Sequence, residues 1–175
     1  MSTLNIPTLD TARLRLEALG MSHSRGMFDL WQHPEVQRYS GPARDAEGRN
    51  IPLPATSAAD SDRLIEFWLR AAADGWGFRW AVLEAERETF LGHIGFNSLA
   101  VCSEIAYHLH PAHWGRGYMA EAARAAIDWR REGGASEIEA FIEPGNQGSI
   151  ALALRLGMTA TSTISEGARR YRMAL

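Results

Sequence analysis

The chain has 175 residues, 46% hydrophobic and 22% charged, with a formal net charge of −3. That length suits one domain with a sizeable core, or at most two very small ones, and the charge gives no electrostatic case for nucleic acid or an anionic membrane as partner. One cysteine, Cys102, excludes an internal disulfide framework. No apolar run approaches the ~18 residues of a membrane span. The start, "MSTLNIPTLDTARLRL", lacks the basic and apolar regions of a signal peptide. The expectation is a cytoplasmic protein with a single domain over residues 1–175.

In chain order, "RLRLEAL" (13–19) alternates polar and apolar residues, the period of a half-buried strand. Residues 22–33, "SHSRGMFDLWQH", predict a helix, and Pro34 opens a short second one over "PEVQRYSG". The stretch "GPARDAEGRNIPLPAT" (41–56) carries three prolines and two glycines without periodicity, so a long loop with a functional or mobile role is expected. Residues 57–75 predict a helix capped by Ser57 and ended by Gly75, with Leu64, Phe67, Trp68 and Ala71 on one face. Three aromatic and β-branched runs, 78–85, 89–99 and 103–110, predict an antiparallel meander. A helix over about 117–132 ends at Gly133-Gly134 and is followed by a strand over 137–143. A helix over 146–157 lies between Asn146 and Gly157, and two weaker strands follow around 158–165 and 168–174. The order predicts an α/β protein with a mixed, mostly antiparallel sheet of about seven strands and helices packed on it.

The joint "HPAHWGRGYMAEAARAAIDWR" (110–130) admits three chemical readings beside that of a plain glycine-containing loop. "GRGYMA" matches the G-x-G-x-x-G/A dinucleotide pattern, with Glu137 or Glu139 as ribose partner, but "PAHW" separates it from the strand and the neighbouring strands look antiparallel. His108, His110 and His113 have a spacing that could hold a metal, although Pro111 disturbs it. In the third reading, the backbone N–H groups of residues 115–120 point at a diphosphate. The bare glycines let the oxygens come close, the helix dipole favours their charge, and Arg116 adds a cation.

Context separates these readings. "SEIAYHLHPAHWGRGYMAEAARAAIDWRREGG" resembles the acetyl-CoA-binding signature of the GNAT superfamily of N-acetyltransferases. "LDTARLRLEAL" is similar to the first strand of the branch that acetylates ribosomal-protein N-termini. "LWQHPEVQRYSG" is similar to its second helix, "FLGHIGF" to its third strand, and "IEPGNQGSIALALRLGM" to its strand-then-helix segment with Asn-x-x-Ser. The resemblance implies a sheet splayed between strands four (103–110) and five (137–143), with helices on both faces. Pantetheine would pair with the exposed backbone of Tyr107, His108 and Leu109. The pyrophosphate would lie on Gly115, Arg116, Gly117, Tyr118, Met119 and Ala120, and Asn146 would contact the pantetheine arm. Trp114 and Met119 depart from the usual residues of the phosphate loop. Ala153 stands where many relatives carry a tyrosine that protonates the leaving thiolate.

Acetyl transfer to an amine needs a proton acceptor, donors for the oxyanion and a neutralised thiolate. Glu104 is the general-base candidate, acting through water; its alternative is an exposed strand carboxylate. The Leu109 N–H is the oxyanion donor. Ser149 is the candidate acid, against the alternative that it caps its helix. Trp31, Tyr39, Trp76 and Trp80 could line the acceptor site, although for Trp76 and Trp80 core or sheet packing is the preferred reading. The expected partners are acetyl-CoA as co-substrate and a protein N-terminus or small amine as acceptor, with no metal and with a homodimer left open. A coenzyme-binding module without turnover, or a histidine-ligated metal enzyme, are the alternatives.

Overall fold

In the computed structural model, which describes residues 3–175, the first segment forms a two-residue strand β1 (Leu9–Asp10) and then β2 (Leu14–Ala18). The alternation of β2 is realised literally: Leu14 and Leu16 are buried, while Arg15 and Glu17 are not. A 3-10 turn over Met21–His23 leads into α1 (Ser24–Trp31), and Pro34 takes the first position of α2 (Pro34–Gln37), where its missing N–H costs nothing. After the 41–56 segment comes α3 (Ala58–Asp74). Ser57 holds its N-cap position but its hydroxyl makes no cap bond; instead Asp60 accepts from the Thr56 N–H at 3.0 Å and hydroxyl at 3.1 Å. Gly75, at φ +81°, ends the helix in the left-handed conformation that glycine adopts without strain.

The meander is β3 (Phe78–Glu84), β4 (Phe90–Ser98) and β5 (Cys102–Leu109). Then follow α4 (Tyr118–Glu132), β6 (Glu137–Ile142), α5 (Gln147–Arg155), β7 (Thr159–Ser165) and β8 (Ala168–Ala174). All eight strands form one sheet in the order β1-β2-β3-β4-β5-β6-β8-β7. Only the β5–β6 pair is parallel. The strand beyond the expected seven is β1, too short to carry a period of its own.

The pleat sends alternate residues of β3 to opposite cores. Phe78, Trp80 and Val82 pack with Ile94 and Phe96 of β4 against Met119, Ala122, Ala123, Ala126 and Ile127 of α4. Ala81 faces the other way, into a core with Met27, Leu30 and Trp31 of α1 and Leu64 and Ile65 of α3. Truncating a side chain as large as Trp80 in such a core costs on the order of 3–5 kcal/mol. Trp80 therefore belongs to the α4 face, on the opposite side of the sheet from Trp31. Trp76 is 43% exposed rather than core.

The sheet opens between β5 and β6. Their pairing consists of Cys102 with Glu137, Ser103 with Ile138 and Glu104 with Glu139, and stops there. From Ile105 to Leu109, β5 bonds only to β4. The His110 N–H reaches the Leu91 carbonyl at 2.8 Å, which fixes the alternation of the ladder. His108 and Ala106 then exchange bonds with β4, and the N–H and C=O groups of Tyr107 and Leu109 point into the split.

Candidate active site

The split leads along β5 into the loop ahead of α4. Gly115 and Gly117 have φ of +74° and +77°, and a side chain at Gly115 would meet no protein atom. These glycines are there for their backbone conformation, since residues with a Cβ rarely adopt it. Gly117 is the N-cap of α4, and the first amide to find a carbonyl within the helix is that of Glu121, on Gly117, at 3.1 Å. The N–H groups of Tyr118, Met119 and Ala120 lie ahead of that bond at the positive end of the helix dipole. Met119 and Ala120 bury their side chains in the core, so they can offer a ligand only backbone. Arg116 is exposed. Left-handed glycines followed by free amides make a concavity suited to an anion.

The Trp114 indole N–H donates to the Leu109 carbonyl at 2.8 Å, so of that residue's two groups aimed at the split, the N–H is the one without a protein partner among the described residues. Asn146 is the N-cap of α5, and its Oδ1 accepts from the Ser149 N–H at 3.2 Å. The capping alternative for Ser149 is thereby overturned: Asn146 supplies the cap, and the Ser149 hydroxyl lies 2.7 Å from the Tyr107 hydroxyl instead. Burial pushes the Tyr107 phenol above its ordinary value, and the bond to Ser149 works against that rise. Ala153 is buried in the core and offers no polar group.

Glu104, Ala106 and His108 share the α1/α3 face of β5, opposite Ile105 in the α4-side core. Glu104 accepts from the Asn97 amide at 3.0 Å, and the Asn97 Oδ1 accepts from Arg79 Nη2 at 2.6 Å. Arg79 is itself buried, with its guanidinium 3.5 Å from the centre of the Trp68 ring. Burial lowers its pKa to about 9, and the Glu104 charge opposes that fall. Glu104 is thus half-buried and hydrogen-bonded, at the last residue before the strands part.

The three histidines do not form one cluster: the His110 and His113 rings lie 5.7 Å apart, and His108 sits elsewhere. His108 packs against Trp31 and His93, with ring centroids 4.6 and 5.1 Å away. His110 lies instead with Asp29 and His33. Its Nδ1 accepts the Ala112 N–H at 3.1 Å, which leaves Nε2 as the protonated nitrogen, 3.3 Å from Asp29. A metal-bound histidine donates its second nitrogen outward rather than accepting there, so this trio fits a metal poorly. Of the aromatic candidates, Trp31 lies on this side of the sheet. Tyr39 reaches across to Gly145, where an added Cβ would approach its ring to 3.2 Å.

Two features had no local signal in the sequence. Arg13 and Thr11 meet Glu121 across more than a hundred residues, and the Tyr107–Ser149 pair joins β5 to α5. Neither spacing is visible in any single window.

A family model described as an acetyltransferase (GNAT) domain matches residues 13–159. The uncharacterized N-acetyltransferase p20 of Bacillus licheniformis is 30% identical over 149 residues, covering 83% of this chain and 78% of that protein. The crystal structure of an acetyltransferase from Agrobacterium tumefaciens superposes with a TM-score of 0.76 at 27% identity, covering 97% of this chain and 95% of that one. RimL, a ribosomal L7/L12 alpha-N-protein acetyltransferase in complex with coenzyme A, shares the fold, with a TM-score of 0.78 at 18% identity over 97% and 98% of the two chains. A sheet parted beside β5, a glycine-headed helix at the end of the split and a family match over most of the length agree: the chain belongs to the GNAT family of acetyltransferases.

Proposed function

We propose that the protein transfers an acetyl group from acetyl-CoA directly to a primary amine, a protein N-terminus or a small amine, within a ternary complex. The observation that carries this is the continuity of the site. The edge of Tyr107–Leu109 that β6 leaves uncovered is followed, after a 3-10 turn over Pro111–His113, by the glycine concavity at Gly115–Ala120. A pantetheine arm suits the first, having amides to pair with a strand edge, and a diphosphate suits the second. Acetyl-CoA supplies an activated thioester carbonyl.

Glu104 takes a proton from the ammonium through water, leaving a free amine to attack that carbonyl. The Leu109 N–H, aimed into the split, holds the oxyanion. As the C–N bond forms and the C–S bond breaks, the Ser149 hydroxyl, 2.7 Å from the Tyr107 hydroxyl, hydrogen-bonds the departing thiolate, which is neutralised by the proton that the new amide nitrogen gives up. A thiol pKa of ~8.5 makes that hydrogen bond sufficient. The Ala153 position, with no hydroxyl, favours one other reading: a domain that binds the coenzyme without turning it over. Release of free thiol from acetyl-CoA across a panel of peptide and small amines separates the two. Amine-dependent release is the expected result, whereas tight coenzyme binding with no release on any amine would establish the module.

A further inference from the structure

Arg13, the residue before β2, is 108 positions from Glu121 in sequence and reaches α4 and the loop ahead of it through its backbone N–H, Nε and Nη1. Its Nε donates to Glu121 Oε1 at 2.8 Å and its backbone N–H to Glu121 Oε2 at 2.9 Å. Its Nη1 donates to the Arg116 carbonyl at 2.9 Å, and its guanidinium carbon sits 4.4 Å from the centre of the Tyr118 ring. Thr11 adds a hydrogen bond to Glu121 Oε2 at 2.6 Å. One side chain therefore grips the middle of the glycine loop, the first residue of the helix and a carboxylate in its first turn.

Peptide planarity gives the grip a direction. In a trans peptide the C=O and N–H point opposite ways. Holding the Arg116 carbonyl on Arg13 therefore turns the Gly117 N–H away from it, toward the open side of the loop. With a glycine on its C-terminal side that peptide is otherwise freer to turn, since glycine populates both signs of φ. Arg13 also neutralises Glu121, whose negative charge would repel an anion at the same helix end.

We propose that Arg13 is a positioning residue for the diphosphate-binding loop, fixing the Arg116–Gly117 peptide so that its N–H faces the anion. This rests on the coenzyme reading above and goes beyond it by giving the N-terminal strand a part in donor selection. A lysine cannot hold the carbonyl and the carboxylate together, because it lacks the planar fork.

The test compares acetyl-CoA with S-acetylpantetheine, a donor without the diphosphate, using the full chain and one acceptor amine. In Arg13→Ala the ratio of kcat/KM for acetyl-CoA over the truncated donor should fall about ten- to a hundredfold, the worth of one or two charge-assisted hydrogen bonds. A purely structural role would lower both donors equally and leave the ratio unchanged, which would overturn the proposal. Arg13→Lys should show most of the same fall; a parental ratio there would mean that charge alone matters and would also overturn it. If the alanine variant does not fold, the lysine variant carries the test. A parent protein that binds no coenzyme in calorimetry would instead sink the coenzyme reading itself.

Discussion

Ser149 shows how one contact separates two roles that a sequence window confounds. A serine in the first turn of a helix is commonly read as a cap. Here Asn146 Oδ1 takes the orphan amide, and the serine hydroxyl is left to Tyr107. The two positions should therefore separate cleanly on mutation. Asn146→Ala should lower stability by about 1 kcal/mol, the ordinary worth of a lost cap. Ser149→Ala should lose a comparable amount through the broken Tyr107 bond but should also lower kcat, and a thioester with a better leaving group should restore the rate. Thermal melts beside steady-state rates on two donors check this. A destabilised but fully active Ser149→Ala protein would remove the serine from the chemistry.

At the scale of elements, the 41–56 segment is a long connection held from inside. Asp45, 2% exposed, accepts from the N–H groups of Glu47 at 3.0 Å and Arg49 at 2.8 Å. It also accepts from Arg49 Nε at 2.9 Å and from Arg63 Nη2 of α3 at 2.7 Å. Burial alone would raise its pKa, but these donors outweigh it and hold the carboxyl well below the usual range. Asp45→Asn replaces one acceptor oxygen with a donor facing donors. The loop should then loosen, so that trypsin cuts faster after Arg44 and Arg49, both already exposed, and the melting temperature should fall by several degrees; an unchanged digestion rate would refute the staple. The sequence predicted this segment as a loop from its prolines but not its anchor, because Asp45 pairs with a helix residue eighteen positions away. The same contrast runs through the chain. Helices and strands follow periods readable in short windows, such as Leu14 and Leu16 in β2 or Gly75 after α3. The glycine loop was legible for the same reason, since a left-handed backbone demands glycine at the position itself. Arg13 and the Tyr107–Ser149 pair were not legible, because their partners come together only through the tertiary fold.

The whole molecule joins two cores across a single sheet, and the helix-covered side beneath α1 buries polar groups that its apolar neighbours do not satisfy. His93, 2% exposed, stacks on Trp31 with ring centroids 5.7 Å apart and lies 5.1 Å from His108. Both of its ring nitrogens lack a hydrogen-bond partner among the described residues, as does Trp31 Nε1. Burial pushes the His93 pKa well below 6.5, and the neighbouring His108 and Arg79 charges push the same way. His108 is lowered to about 3, again by burial first and Arg79 second. Both imidazoles are therefore neutral in the folded state, while the unfolded chain protonates them below about 6.5. As the pH falls through that value the unfolded state binds more protons than the folded one, so stability declines. The loss begins about two units above the range where Asp45 and Glu121, both held low, add theirs by being forced to protonate. Denaturant unfolding across pH should therefore show a stability plateau above pH 7 and a first decline between about 6.5 and 5. A second, steeper decline should follow below about 4.5. His93→Gln, which keeps a polar side chain of similar reach but cannot titrate, should cut the slope of the first decline to about half, His108 supplying the remainder, and leave the second in place. If the variant retains the parent's slope between 6.5 and 5, the acid sensitivity does not come from the histidines under α1.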